Sequence, residues 1–278
     1  MNATMNAQAA TVAAPSSPIL LREDVAGVAV LTLNRPQARN SLSEAMLEAL
    51  GDALTAVAHE RAVRAVILTA NGPAFSAGHD LKELNARRAD ADRGRNYFKH
   101  IMTMCSAVMQ QIVRLPQPVI AAVQATATAA GCQLVASCDL AVAASTAKFA
   151  TPGVNIGLFC STPMVALSRN VPRKHAIEML LTGEMISAED AARIGLVNHV
   201  VAPGTERAEA QKLAAKITAK SAMTLKIGKE AFYRQIEMTM AEAYDYASNV
   251  MVENMLARDA EEGIGAFIEK REPKWQDR

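Results

Sequence analysis

Two stretches rich in small residues stand out because each could place a backbone N–H group beside a reacting oxygen. One runs from Ala74 to Leu84 and the other from Val119 to Asp139. Each leads from the end of a predicted strand into a helix-like segment, where small side chains allow close approach and the first helical turn leaves N–H groups unpaired. Two amides about 3 Å from a forming oxyanion stabilise it without a titratable group. The alternative for either stretch is a tightly packed crossing of Ala-rich segments.

Several titratable side chains in or beside these stretches are candidates for proton transfer. His79 belongs to the residue type best suited to a general base, but the alternative is that only its backbone N–H matters. Glu83 lies one helical turn beyond His79 and faces either the solvent or the site. Asp80 is expected to cap the following helix, and Asp139 is expected to stabilise a turn after Cys138.

The composition argues against several classes of partner and site. Half of the 278 residues are hydrophobic, and 29 Lys and Arg residues balance 28 Asp and Glu residues. We therefore expect neither a nucleic-acid partner nor a membrane-bound protein, since no apolar run approaches the ~20 residues of a membrane span. The four cysteines lack metal-ligand spacing, which predicts reduced thiols, no metal site and a cytoplasmic protein.

Apolar runs alternate with helical patterns along the first half of the chain. Gly27 to Leu33, Arg64 to Ala70 and Val119 to Val123 are predicted strands. Ser41 and Glu44 form a capping-box signature before a helix that separates the first two strands. A strand, a helix and a strand in this order predict a parallel crossover with helices packed on a sheet. Further helices are expected from Cys132 to Ser137, Tyr97 to Leu115, Met223 to Ile236 and Ala241 to Leu256.

The ends of the chain differ from its middle. Residues 1–18 contain no basic residue and are expected to form a disordered leader rather than a secretory or transit signal. No repeat, linker or low-complexity segment follows Pro18. The rest of the chain is divided into a core, residues 19–200, and a helical carboxy-terminal region, residues 201–278.

A series of motifs resembles those of the crotonase (enoyl-CoA hydratase/isomerase) superfamily. They are Leu33-Asn34-Arg35-Pro36, Ala74 to Lys82, Thr128 to Leu134 with Cys138-Asp139, Leu181-Thr182-Gly183, Ala191 to Val197 and Glu262 to Phe267. Their order and spacing cover roughly Val28 to Trp275. The segment from Phe149 to Pro163 resembles one particular branch of the superfamily.

The resemblance implies a crotonase-like fold of the α/β class, a spiral of ββα units followed by a helical carboxy-terminal region that builds a homotrimer or a dimer of trimers. Members bind acyl-CoA thioesters, so coenzyme A belongs to the substrate and no separate cofactor is expected. By position, the amides that hold the thioester oxygen are those of His79 and Ala130. The positions that correspond to substrate contacts are Arg35, Arg39, Ala77, Asp80, Leu81, Lys82, Gly153, Phe267 and Lys270.

The sequence departs from the hydratase pattern at the two glutamates that activate water in that superfamily. These positions hold Gln133 and Gly153 here, and Ala130 stands where hydratases usually have glycine. A glutamine orients water but is no carboxylate base, and a glycine does neither. If Ala130 adopted a positive φ, its backbone would store strain. We therefore expect an oxyanion hole without the acid–base pair of ordinary hydration.

Three functions fit this combination. The first is an enzyme that stabilises a thioester enolate, nominally an enoyl-CoA hydratase or isomerase in which Gln133 positions water or substrate. The second is a catalytically weak acyl-CoA-binding protein. The third is a decarboxylase of a malonyl-type CoA ester, which needs the hole but less proton abstraction.

Overall fold

The computed structural model describes residues 17–278 of the chain. The predicted leader falls almost entirely on residues 1–16, which lie outside the described residues. In the described part, two β-sheets are surrounded by helices, so the predicted α/β class is confirmed.

The larger sheet has six strands, and all but one edge strand are parallel to their neighbours. In spatial order they are β1 (Leu20–Val25), β2 (Val28–Leu33), β3 (Ala65–Ala70), β5 (Val119–Val123), β7 (Leu140–Ala144) and β10 (His199–Val201). Helix α1 (Glu44–His59) connects β2 to the parallel strand β3. The predicted strand–helix–strand crossover is therefore confirmed.

Helices cover both faces of this sheet, which explains why the inner strands β2, β3 and β5 are almost entirely apolar and buried. Leu31 of β2 packs into the main core on one face, together with the buried residues of α1. The neighbouring Val30 faces the opposite side, where it packs with Ala210 and Ala214 of α8 (Glu206–Thr218). The alternation along one strand thus supplies two hydrophobic layers.

The smaller sheet holds the starts of the loops that matter for the site. Its strands, in spatial order, are β4 (Ala74–Ser76), β6 (Thr126–Thr128), β8 (Lys148–Ala150) and β9 (Ile186–Ser187). Each of the first three follows a strand of the larger sheet and precedes a helix, so the chain advances in the ββα turns that the resemblance implied. Strands of two or three residues carry too little periodicity to be predicted from the sequence.

Every helix with a predicted span matches that span to within two residues. The helices other than α1 and α8 are, in chain order, α2 (Leu81–Ala86), α3 (Arg95–Arg114), α4 (Ala130–Ser137), α5 (Ser161–Asn170), α6 (Arg173–Thr182), α7 (Ala188–Arg193), α9 (Ala222–Gln235), α10 (Met240–Met255) and α11 (Arg258–Glu269). Short 3₁₀ turns occur at Pro36–Ala38, Arg87–Ala89 and Pro152–Ile156. Strand β10 spans the predicted boundary at residue 200, and α8, beyond the boundary, packs on the larger sheet. The division into a core and a carboxy-terminal region remains a prediction.

The carboxy-terminal helices expose an unusual amount of apolar surface. Helix α9 and helix α10 have no residue that is fully buried within the chain. The exposed apolar side chains of this region are Phe232, Ile236, Met240, Tyr244, Met251, Val252, Met255, Leu256, Ile264, Phe267 and Ile268. So many exposed apolar side chains on neighbouring helices are typical of a protein interface.

The start of α1 differs from the predicted capping box. Ser43, not Ser41, caps the helix, because its side chain accepts a hydrogen bond from the Met46 N–H. Glu44 is the first helical residue, and the hydroxyl of Ser41 instead donates to Asp80 at 3.1 Å. The capping-box prediction was wrong because a tertiary contact of Ser41 replaced the local one.

The start of α4 depends on an unusual backbone conformation. Ala129, which precedes the helix, has φ 50° and ψ −120°, a region that L-residues other than glycine rarely adopt. A positive φ was considered for Ala130, but Ala130 is already helical and the positive φ belongs to Ala129. The helix begins two residues before Cys132, its predicted first residue. A Cβ on Gly131 would lie 2.2 Å from the Ser76 carbonyl oxygen, so this contact between α4 and β4 requires glycine.

The strain at Ala129 predicts an unusual result for a glycine substitution. We expect Ala129→Gly to raise the free energy of unfolding by about 1 kcal/mol, because glycine adopts this φ and ψ without a Cβ penalty. Urea denaturation followed by circular dichroism measures the change. The matched control is Ala56→Gly on the exposed face of α1, which should lower stability by about 0.5–1 kcal/mol. An equal loss of unfolding free energy in both variants would contradict the strain at Ala129.

Candidate active site

The two small-residue stretches meet in the folded chain. A Cβ placed on Gly78 would lie 3.1 Å from the Ala130 backbone nitrogen and 2.9 Å from the Ala129 Cβ. Gly78 has φ 88°, which a side chain would also disfavour. The loop after β4 and the first turn of α4 are therefore in direct backbone contact.

Neither of the two candidate amides is used by the fold. Among residues 17–278, the N–H groups of His79 and Ala130 donate to no protein acceptor. Ala130 is the first residue of α4, whose amino-terminal N–H groups carry the positive end of the helix dipole. At the other loop, the parallel bridge between Leu42 and His79 uses the Leu42 N–H and the Gly78 carbonyl, 2.8 Å apart. The His79 N–H is left unpaired beside the start of α4.

The side chain of His79 is an unsuitable base in this arrangement. Both of its ring nitrogens are inaccessible to solvent and lack a hydrogen-bond partner in the described chain. Burial lowers the pKa of His79, and the nearby Leu42 carbonyl and Glu83 carboxylate only partly oppose that effect. The imidazole is thus neutral at physiological pH, but its nitrogens face no open space. The geometry favours the interpretation that the backbone N–H matters.

Asp80 is a structural carboxylate that fixes the loop carrying His79. It accepts hydrogen bonds from the Lys82 and Glu83 N–H groups, so it caps α2 as the sequence predicted. Its other oxygen accepts from Ser41 and, at 3.3 Å, from the Arg35 guanidinium. Burial alone would raise the pKa of Asp80, but these donors outweigh it and lower the pKa. Arg35 is consequently tied to the loop rather than free.

The other carboxylates named as possible bases are also engaged. Glu83 accepts from the Glu44 N–H at 3.1 Å and so joins α2 to the start of α1. Asp139 accepts from the Val119 N–H at 2.7 Å and from Lys229 and Tyr233 of α9. Each carboxylate has a structural partner. No group of three or more metal-binding side chains is poised to hold a metal ion in residues 17–278.

Gln133 lies one helical turn after Ala130 on the fully buried helix α4. Its side-chain oxygen is 4.0 Å from the Cys105 Sγ, a weak donor, while its amide nitrogen has no acceptor among the described residues. Burial raises the pKa of Cys105 to about 12, so this thiol stays protonated. Gln133 therefore offers N–H donors, where a hydratase glutamate would offer a carboxylate.

Gly153 occupies a position with no room for a side chain. A Cβ there would lie 2.6 Å from the Leu158 carbonyl oxygen and 2.9 Å from the Cys160 Sγ. The Gly153 carbonyl also accepts from the Leu158 N–H at 2.9 Å, which closes the turn over this position. Burial raises the pKa of Cys160, although a backbone hydrogen bond from Gly153 opposes it. A protonated thiol thus fills the space that a carboxylate side chain would need.

The remaining predicted contact residues lie at the periphery. Arg39, Ala77, Leu81 and Lys82 are exposed, and the Ala77 N–H donates to the Arg39 carbonyl at 3.0 Å. Phe267 and Lys270 are exposed on α11 and at its end. The chain after α11 is anchored through Asp277 to Arg64, next to the amino end of β3, whereas the loop of His79 follows the carboxyl end of that strand.

Asn40 is a positioning residue that the sequence analysis missed. It is fully buried with φ 50°, and its amide donates to the Asn71 and Ala74 carbonyls, both at 2.8 Å. Its own carbonyl accepts from the Ser76 hydroxyl at 2.9 Å. Asn40 thus holds β4 against the loop after β2. The available signal was an asparagine shortly after Pro36, since asparagine tolerates the left-handed conformation.

The chain matches a family and several known proteins over most of its length. The family model described as "Enoyl-CoA hydratase/isomerase" matches residues 23–278. The crystal structure of an enoyl-CoA hydratase from Mycobacterium smegmatis is 55% identical, with a TM-score of 0.88 over 93% of this chain and 99% of that one. The structure of human enoyl-CoA hydratase domain-containing protein 3 is 45% identical, also with a TM-score of 0.88, over 93% of this chain and all of that one.

The vertebrate relatives correct one expectation. The rat protein "Enoyl-CoA hydratase domain-containing protein 3, mitochondrial" is 48% identical over 249 residues, which is 90% of this chain and 81% of the relative. The mouse, frog and human proteins of that name are also called mitochondrial. The expectation of a cytoplasmic protein was therefore wrong; buried, reduced cysteines are compatible with any reducing compartment and do not identify one.

These matches also identify the branch that the segment from Phe149 to Pro163 resembled, which is that of enoyl-CoA hydratase domain-containing protein 3. Within residues 17–278, no helix combines the length and apolar character of a membrane span. The family match, the sequence identities and the shared fold agree over nearly the whole chain. The chain belongs to the enoyl-CoA hydratase/isomerase family, the crotonase superfamily.

Proposed function

We propose that this protein is an acyl-CoA enzyme that holds a thioester carbonyl between the backbone amides of His79 and Ala130 and stabilises the enolate formed beside it. The observation that carries this proposal is the contact of Gly78, the residue before His79, with the start of α4, together with the absence of any acceptor for the His79 and Ala130 amides in the described residues. Both donors belong to a rigid, buried frame, so they need no reorganisation when charge develops on the thioester oxygen. Removing one such donor typically costs a hundred- to a thousandfold in rate.

Ordinary hydration fits this site poorly. In a hydratase two carboxylates activate the water and move the proton, whereas Gln133 and Gly153 supply none. The protonated thiol of Cys160 lies beside Gly153 and is no substitute for a base. We therefore assign the site to reactions in which enolate stabilisation matters more than proton abstraction.

The free amide nitrogen of Gln133 favours a specific second candidate, a decarboxylase of malonyl-type CoA esters. An N–H donor next to the proposed oxyanion hole suits a substrate carboxylate, because the donor hydrogen-bonds to that anion. A carboxylate side chain at the same place would repel it. In that reaction the C–C bond to the carboxylate breaks, carbon dioxide leaves and the electron pair becomes the enolate. The site would require no base for this step.

The exposed residues around the site support a role in holding coenzyme A. Arg39 and Lys82 are exposed near the His79 loop and form no ion pair within the described residues, so we assign them to the phosphates. Arg35 acts through Asp80 as a loop-positioning residue. Phe267 and Lys270, on exposed parts of α11, are assigned to the site of a neighbouring subunit, because the chain after α11 is anchored at the opposite end of β3.

The first test is the binding of crotonyl-CoA followed by isotope-edited infrared difference spectroscopy. We expect the thioester carbonyl stretch to move to lower frequency on binding, because two N–H donors polarise the bond. Hydration should be at least about ten-thousandfold slower than in a hydratase, since each missing acid–base group costs a hundred- to ten-thousandfold. Coenzyme A without an acyl group is the control ligand. An unshifted carbonyl would rule out the oxyanion hole.

Two further assays in the same series separate the function classes. Exchange of the C2 protons of butyryl-CoA with deuterated water reports enolate formation and identifies an enzyme of the first class. Release of carbon dioxide from malonyl-CoA identifies the decarboxylase. A shifted carbonyl without either reaction would identify a catalytically weak acyl-CoA-binding protein.

The geometry at Gly153 predicts the result of restoring the hydratase glutamates. Gln133→Glu alone should raise hydration of crotonyl-CoA little, because the second carboxylate is absent. Adding Gly153→Glu should give no further gain and should destabilise the fold by about 1–3 kcal/mol, because even its Cβ displaces the Leu158 carbonyl. Gly228→Ala in α9 is the control, since a Cβ there meets nothing within 4 Å. Efficient hydration by either glutamate variant would contradict this account.

The exposed apolar side chains of the carboxy-terminal helices support an assembly of subunits, which the family resemblance implies to be a homotrimer or a dimer of trimers. Sedimentation velocity of the purified protein should therefore show trimers or hexamers, with no stable monomer. Leu256→Glu places a charge on a side chain that is 77% exposed in the single chain and should shift the protein toward monomers. Lys216→Glu on the exposed surface of α8 is the control and should not change the assembly. A monomeric wild-type protein would contradict the prediction.

A further inference from the structure

A buried polar cluster joins helix α9 to the core and has no role in the chemistry described above. The Lys229 ammonium lies 2.7 Å from the Asp139 carboxylate and 3.0 Å from the carbonyls of Ile112 and Gln117. The Tyr233 hydroxyl donates to the other Asp139 oxygen at 2.9 Å. All three donor positions of the ammonium are thereby used. We call Lys229, Tyr233 and Asp139 the α9 latch.

The latch is a specific polar link between α9 and the body of the protein. Helix α9 has no fully buried residue, yet the side chain of Lys229 is only 7% exposed and that of Asp139 only 14%. Beside it, between the end of α3 and α9, a cavity of about 410 Å³ remains. Apolar packing between α9 and the end of α3 is therefore incomplete, and the polar contacts of the latch hold α9 in its place.

The residue held by the latch belongs to the segment that continues from α4. Asp139 follows the helix directly after Cys138, and its backbone and side chain both bond to Val119 at the start of β5. Helix α4 has eight residues, all buried, and a continuous helix of this length spans only about 12 Å. Ala130 and Gln133 lie on that helix, and Gly131 abuts the Ser76 carbonyl. A shift at Asp139 is therefore transmitted to the Ala130 amide.

We infer that Lys229 and Tyr233 are positioning residues that set the place of the Ala130 amide through Asp139, and so couple the carboxy-terminal helices to the oxyanion hole. This inference rests on the proposed function of the hole. Because α9 begins the helical region with the exposed apolar surface, the coupling also makes the hole sensitive to how that region is docked. Misplacement of a catalytic group by about 1 Å can cost about a hundredfold in rate.

The experiment uses crotonyl-CoA as the probe and the full-length protein. Tyr233→Phe removes one hydrogen bond to Asp139 and leaves the ion pair, so the variant should fold. We expect its Kd for crotonyl-CoA, measured by calorimetry, to change less than threefold, because the remote contacts with coenzyme A are intact. The infrared shift of the thioester carbonyl should fall by half or more. Lys229→Met should abolish that shift if the variant folds.

Two controls separate positioning from general stability. Lys226→Met removes a lysine one turn earlier on α9, outside the latch, and should keep the full shift. Leu50→Ala opens the core of α1, far along the chain from the latch, and should lower stability without changing the shift.

The outcomes distinguish the two proposals. A wild-type protein without a carbonyl shift would overturn the oxyanion hole and this inference together. A normal wild-type shift that persists unchanged in Tyr233→Phe and in folded Lys229→Met would overturn the inference alone. A reduced shift in Leu50→Ala as large as in Tyr233→Phe would also overturn it, because loss of stability would then suffice.

Discussion

The contact between helix α4 and strand β4 is the constraint on which the site depends. Because a Cβ on Gly131 would lie 2.2 Å from the Ser76 carbonyl oxygen, the two backbones touch without any side chain between them. The same closeness recurs on the opposing loop, where Gly78 meets the start of α4. Asn40 and Ser76 then fix the edge of β4 by hydrogen bonds. With these contacts in place, the loop that carries His79 is held against the start of α4.

The sequence predicted the parts of this arrangement that local patterns encode. The strand Val119–Val123 is an apolar run buried on both faces, and the small residues after it indicated a close approach. The parallel crossover followed from the order of strands and helix. The motifs that resemble the crotonase superfamily then supplied the spiral, because three-residue strands such as Ala74–Ser76 leave too little pattern of their own.

Three structural features that the sequence did not reveal depend on tertiary contacts. Ser41 has the spacing of a cap, but Asp80 accepts its hydroxyl and Ser43 caps the helix instead. Ala129 has no intrinsic preference for a positive φ, yet it adopts one where the loop of Gly78 packs against the start of α4. The environment of Gly153 was equally hidden, because the carbonyl of Leu158 reaches it through a turn that no periodicity predicts.

The turn at Gly153 has a consequence for how this branch of the superfamily can change. Because the Leu158 carbonyl and the Cys160 thiol occupy the space of a side chain, a glutamate substituted at position 153 would clash with both of them. The loop would have to open first, and an open loop without the carboxylate offers no advantage by itself. The effect of a substitution at position 153 thus depends on whether the loop has already changed. A carboxylate at position 153 therefore requires a change in the turn that holds Leu158 and Cys160 as well as the substitution itself.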